Sequence, residues 1–281
     1  MISRTAPARG IREALLHGKR RPRTPGGSPT SRRGDGYEFV ELREYVPGDD
    51  VRRIDWAASA RSGDLQTRVI LEDVALTLAA ILDDSPSMQV GRRRPMLAAG
   101  REALRAWYDV AAADDRCVRI VGDAMHPSGA QRGPVSAAAA MRASGTFDLG
   151  RALHVARSAL RPGAALLAIG DWFDLAAAQD GLLHALGRRC DCTALLARDP
   201  WFDDLPLFGL VRMRGAEGGM LRAYVGARER AAYARAVRAR EAGLLARFAA
   251  AGWRTSLLYE NDGAASLAAA FGLHARGIAR S

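Results

Sequence analysis

The chain has 281 residues, 48% of them hydrophobic and 26% charged, with a formal net charge of +10. That length and apolar content suffice for one large globular domain with an appendage, or two modest ones, and argue against a mainly disordered or fibrous chain. No apolar run reaches the roughly 20 residues a bilayer crossing needs; the longest, Val74–Leu82, ends at Asp83 and Asp84.

Along the chain, Met1–Arg33 is basic and rich in Pro, Gly and Ser. Its nine bases before Gly34 face the single acid Glu13. It lacks the apolar block of a secretory signal, which predicts a cytoplasmic protein. A short helix over Ile11–Leu16 followed by a flexible tail is expected. Gly34–Arg68 mixes polar and apolar residues with turn signals at Pro47-Gly48-Asp49-Asp50 and Ser62-Gly63-Asp64, which predicts short strands and turns.

From Val69 to Ser281, apolar strands alternate with amphipathic helices. Strands are expected at 74–82, 117–121, 165–169, 193–197 and 255–259. Helices are expected at 96–112, 149–160, 175–186, 227–250 and 264–271, and a hairpin at 207–213 and 221–225. Such alternation predicts a doubly wound α/β domain, its sheet mainly parallel with helices on both faces, preceded by a small strand-and-turn subdomain. The strands read as continuous apolar runs, as strands buried on both faces must. Cys117, Cys190 and Cys192 read as buried small hydrophobes.

In sheets of this kind, sites lie beyond the carboxyl ends of the strands. The first strand runs into Asp83-Asp84-Ser85-Pro86-Ser87, a D-x-S-x-S pattern formed by Asp83, Ser85 and Ser87. One carboxylate and two hydroxyls spaced by two can face one point, and oxygen-only ligands suit a hard cation such as Mg²⁺ or Mn²⁺. A second acid, Asp171, ends the strand at 165–169. Between them lies Gly145-Thr146-Phe147-Asp148-Leu149-Gly150, a loop opening a helix. Asp148 is either a further ligand or the cap of that helix.

This arrangement resembles the metal-ion-dependent adhesion site of von Willebrand factor A domains. The resemblance implies that Asp83, Ser85, Ser87, Asp171 and a loop threonine hold a divalent ion, and that an open coordination position takes a partner's carboxylate. Phe147 stands at the threonine position in an ungapped comparison; one inserted residue puts Thr146 there.

The segment Gly36–Arg61 reads G-Y-E-F-V-E-L-R-E-Y-V-P-G-D-D-V-R-R-I-D-W-A-A-S-A-R. It resembles the signature of domain-of-unknown-function family 58, roughly G-x-E-F-x-x-L-R-x-Y-x-P-G-D-D-x-R-x-I-D-W-x-x-S-A-R. That resemblance implies a von Willebrand factor A-like domain after the signature, no established catalysis, and partnership with a MoxR-type AAA+ ATPase. The function expected is a non-catalytic adaptor that binds a client carboxylate through its ion, for remodelling or maturation. Within the signature, Arg43, Tyr45, Asp49, Asp50, Arg52, Asp55, Trp56 and Arg61 are candidate partner contacts, since Arg, Tyr and Trp are frequent interface anchors.

Two other readings compete. The basic tail and the Arg-rich helix at 227–250 would suit nucleic acid or an anionic surface, though aromatic stacking platforms are few. A metal-dependent hydrolase would use Asp83 and Asp171. No phosphate-binding glycine loop or nucleophile elbow supports other catalysis.

Overall fold

A computed structural model describes residues 6–19, 37–46, 51, 54–72, 75–127, 147–202, 205–215 and 218–273. The chain divides into two compact units, one of Met1–Arg21 with Leu76–Ser281 and the other of Pro22–Ala75.

The smaller unit holds β1 (Tyr37–Glu44), α2 (Trp56–Ser62) and β2 (Gln66–Glu72). β1 and β2 pair antiparallel, Glu44 opposite Gln66. This pairing draws Val69–Glu72 into the smaller unit, past the boundary expected after Arg68. Asp55 caps α2, its carboxylate accepting from the Ala58 N–H at 2.9 Å. The Ser59 hydroxyl accepts from the Gln66 N–H at 2.8 Å and ties α2 to β2.

The larger unit is built on a six-stranded sheet: β3 (Thr77–Leu82), β4 (Arg116–Val121), β5 (Ala124–Pro127), β6 (Ala165–Gly170), β7 (Asp191–Ala197) and β10 (Arg254–Leu258). The order is β10-β7-β6-β3-β4-β5. All neighbours run parallel except β5, which folds back antiparallel on β4. The sheet is doubly wound. On one face lie α4 (Leu149–Ala159), α5 (Asp180–Arg189) and α6 (Ala227–Ala250). On the other lie α1 (Ala6–Lys19), α3 (Met96–Tyr108) and α7 (Gly263–Ala270).

Strand side chains alternate between the two faces, and the central strands β3 and β6, covered on both, are apolar at almost every position. Ala79 and Ile81 of β3 join the α4–α6 side, while Leu78, Ala80 and Leu82 join the α1–α3–α7 side. α3 and α7 approach closely because Gly263 has no side chain: a Cβ there would sit 1.9 Å from the Ala99 carbonyl oxygen.

The first helix departs from expectation. It spans Ala6–Lys19 rather than Ile11–Leu16, and it is part of the core rather than of a tail. Ala8, Ile11 and Leu15 are buried against the α3–α7 layer. The Arg12 guanidinium pairs with Asp115 before β4. After Lys19, the expected flexible tail lies outside the described residues. The hairpin β8 (Gly209–Arg214) with β9 (Met220–Val225) forms a separate two-stranded sheet ahead of α6. No helix among the described residues is long and apolar enough to cross a membrane.

Candidate functional site

β3 leads through α3 to β4 on one side, and β6 leads through α5 to β7 on the other. The chain therefore leaves these adjacent strands in opposite directions, and the crevice between their carboxyl ends is the switch point where such sheets bind ligands. Asp83 and Asp171 are the first residues beyond β3 and β6. The Asp83 N–H donates to the Ile169 carbonyl at 2.8 Å, carrying the ladder one residue further. Asp83 is only 5% exposed. Gly170 makes room for it: a Cβ there would lie 3.0 Å from the Asp83 Cβ and 3.1 Å from its Oδ2.

The D-x-S-x-S residues converge. The Ser85 N–H donates to Asp83 Oδ1 at 2.9 Å, and the Ser85 and Ser87 hydroxyls share a hydrogen bond of 2.8 Å. Pro86 opens a short 3-10 turn over Pro86–Gln89 and fixes the backbone between the two serines. Burial pushes the Asp83 carboxyl above its ordinary value. Hydrogen bonds from Ser85 pull it back, and the charge of Asp171 raises it again. Asp84 is also buried, and its charge acts on Arg119 of β4, whose guanidinium burial pulls down.

Beyond β6, the Asp171 Oδ1 accepts from the Phe173 N–H at 3.0 Å. Trp172 adopts φ 60°, in the left-handed region that side chains rarely occupy. It is held there by its buried indole, which donates to the Leu195 carbonyl at 3.1 Å and meets Phe248 edge-on at 4.8 Å. Arg240, from the middle of α6, donates to the Asp171 carbonyl at 2.6 Å and stacks 3.6 Å over the Phe173 ring. Phe147, Trp172 and Phe173 complete the walls of the crevice. Residue spacing reveals nothing of Arg240, which lies 69 positions after Asp171. The Gly-Asp pair ending β6 was the legible signal for its end of the site.

Other candidates are placed elsewhere. Asp148 caps α4, accepting from the Arg151 N–H at 2.9 Å, and its carboxylate is exposed. The cap expected of it is therefore present. Thr146 lies outside the described residues, and Phe147, which has no oxygen to offer in its side chain, lines the crevice. In the smaller unit, Asp49, Asp50 and Arg52 lie outside the described residues. Arg43 is on β1, and Tyr45 follows it half-buried. Asp55 is engaged in capping α2. Trp56 at 68% and Arg61 remain exposed on α2.

Among the described residues, no cluster of three or more His, Cys, Asp or Glu side chains forms. The candidate donor set at the carboxyl ends of β3 and β6 is two carboxylates and two hydroxyls. It contains neither nitrogen nor sulfur and fits a hard divalent cation better than zinc or copper. The charge of Asp171 acts on Asp83 across the crevice, and the Arg240 guanidinium beside Asp171 offsets part of it.

A family profile matches residues 41–243, which include β3, the crevice and Arg240. The chain belongs to the protein family of unknown function DUF58. Relatives of this DUF58 chain include an uncharacterized protein of Mycobacterium bovis and two of Mycobacterium tuberculosis. Each is 43% identical over 58 residues, 21% of this chain and 18% of the relative. The match thus spans less than a fifth of the length of these curated relatives. No solved structure matches the chain.

Proposed function

We propose that this DUF58 protein is a non-catalytic adaptor that holds a divalent cation in the β3–β6 crevice and uses it to bind a carboxylate of a client protein. The observation that carries this reading is the convergence of Asp83, Ser85, Ser87 and Asp171 on the switch point of the sheet. Asp83 and Asp171 would supply the charge, and Ser85 and Ser87 the neutral oxygens. The bound ion would supply an electrophilic point for the client's carboxylate. The chain's own residues set that point: Gly170 admits the Asp83 side chain, Pro86 orients the two serines, and Arg240 with Trp172 fixes the backbone after β6.

The likeness to von Willebrand factor A adhesion sites supports the same reading through the D-x-S-x-S strand end. A MoxR-type AAA+ ATPase as partner, acting in client remodelling or maturation, rests on the family resemblance of the Gly36–Arg61 signature alone.

The test is calorimetric titration of Mg²⁺ and Mn²⁺ into chelator-treated protein, alongside Asp83→Ala and Asp171→Ala. Saturable binding lost in Asp83→Ala and weakened in Asp171→Ala is expected. Absence of binding to the wild type, or binding unchanged in Asp83→Ala, refutes the proposal.

A further inference from the structure

β8 and β9 form a hairpin with no third strand on either edge among the described residues. Three cross-strand pairs occupy one of its faces: Leu210 opposite Tyr224, Arg212 opposite Arg222, and Arg214 opposite Met220. All six are exposed, Leu210 at 81% and Tyr224 at 63%. Like charges directly opposite one another weaken a ladder, and a lone hairpin is marginal in water. No acidic side chain among the described residues pairs with any of the three arginines. Two arginines directly opposite one another weaken the ladder somewhat, and exposed apolar side chains flank them on the same face. Such a face suits an occupant that supplies both carboxylates and apolar contact.

α6 determines where this face stands. Arg240 touches Asp171 at the crevice, and Tyr233, two turns earlier, donates to Asp199 just past β7 at 2.7 Å, so the first half of α6 lies on the carboxyl edge of the sheet. The hairpin is seated on that first half. Val225 is buried beside the start of the helix, and Arg230 lies 5.8 Å from the Phe208 ring just ahead of β8. The face therefore stands on the same edge of the sheet as the crevice.

We propose that this hairpin face binds an extended acidic segment of a protein partner. Carboxylates of the segment meet Arg212, Arg214 and Arg222, and its apolar side chains meet Leu210, Met220 and Tyr224. The pairs repeat along the hairpin at the two-residue strand step, about 7 Å, which is also the same-face repeat of an extended peptide. A lipid headgroup layer has no such register. Single-stranded nucleic acid calls for successive stacking rings, and this face has one. The inference stands apart from the metal site, because its contacts involve none of the crevice residues.

The test uses the full chain in the presence of chelator and a fluorescein-labelled synthetic peptide in which every second residue is Leu or Glu in turn, with Ser between, so that one face of the extended peptide carries both; binding is read by anisotropy. The same peptide with Gln for Glu, vesicles of phosphatidylcholine and phosphatidylserine, and a single-stranded oligonucleotide are run beside it. The acidic peptide is expected to bind best. Arg222→Glu should weaken it about tenfold or more, while the opposite charges now facing across the ladder leave the hairpin at least as stable. Leu210→Ser should weaken it as well, and Asp83→Ala should bind as the wild type does. The proposal is overturned if the acidic peptide fails to bind, or if Arg222→Glu binds it undiminished. It is equally overturned if the Gln peptide, vesicles or oligonucleotide bind better. Loss of binding in Asp83→Ala would place the segment in the crevice and overturn the hairpin assignment.

Discussion

Replacing Leu15 with Ala tests whether the first helix is a working part of the larger unit. Leu15 is fully buried, and Ile11 on the preceding turn nearly so, both within the α3–α7 layer. The fit is close: a Cβ at Gly10 would come within 2.7 Å of Leu273. A fully buried leucine cut to alanine in a core that cannot collapse costs about 3 kcal/mol. For a protein of this size, that corresponds to a fall in Tm of about 5 °C. Arg12→Ala should cost a similar amount by a different route. The Asp115 side chain it faces is 1% exposed. Asp115 also accepts from the N–H groups of Leu76 at 2.6 Å and Ala112 at 2.7 Å. Those bonds would survive, but the buried carboxylate would lose its countercharge, at about 3 kcal/mol. Urea denaturation followed by circular dichroism and tryptophan fluorescence gives both values. A change below about 1 kcal/mol for Leu15→Ala would show that the helix contributes no packing, and would refute its placement in the core.

Three further outcomes are expected. Gly263→Ala should destabilise by about 3 kcal/mol in denaturant unfolding, because its Cβ meets backbone rather than a movable side chain. Asp83→Asn should raise the unfolding midpoint of the metal-free protein, since it removes a buried charge that faces Asp171; the same variant should lose any gain in midpoint on adding Mg²⁺. The Arg94 guanidinium holds the Glu102 carboxyl below its ordinary value, against the opposing effect of burial. The folded protein therefore takes up that proton less readily than the unfolded chain. The stabilisation is complete above the ordinary glutamate range and is lost as pH falls through the depressed value. Urea midpoints measured from about pH 6 down to about pH 3 should fall less steeply in Glu102→Gln than in the wild type.

The parallel core was legible because burial on both faces leaves no choice of side chain: runs such as Ala165–Ile169 have no polar face to disguise them. The D-x-S-x-S end of β3 was legible for a related reason, a polar cluster following abruptly on such a run. The first helix was underestimated because arginines interrupt its apolar residues, and Arg12 reads as solvated until Asp115 is seen beneath it. β5 escaped notice because an edge strand of four residues, mostly exposed, carries no burial pattern. The division of labour among the acids was hidden too. Asp55 and Asp148 look like ligands or contacts in a string of letters, yet each spends its carboxylate on helix N–H groups. Arg240 could not be read at all, since it reaches the crevice only through the packing of α6 across the sheet.

The left-handed backbone at Trp172 has a consequence for how the crevice meets a ligand. A non-glycine residue at φ 60° holds of order 1 kcal/mol of strain, and it persists only because its surroundings over-determine it. Here the surroundings are Phe248, packed edge-on from α6, and the Leu195 carbonyl of β7. The loop carrying Asp171 is thus pinned by the core and is not free to sample alternatives. Whatever the crevice takes up meets a shelf whose ordering entropy was spent when the chain folded, and little of the binding energy is lost to arranging it.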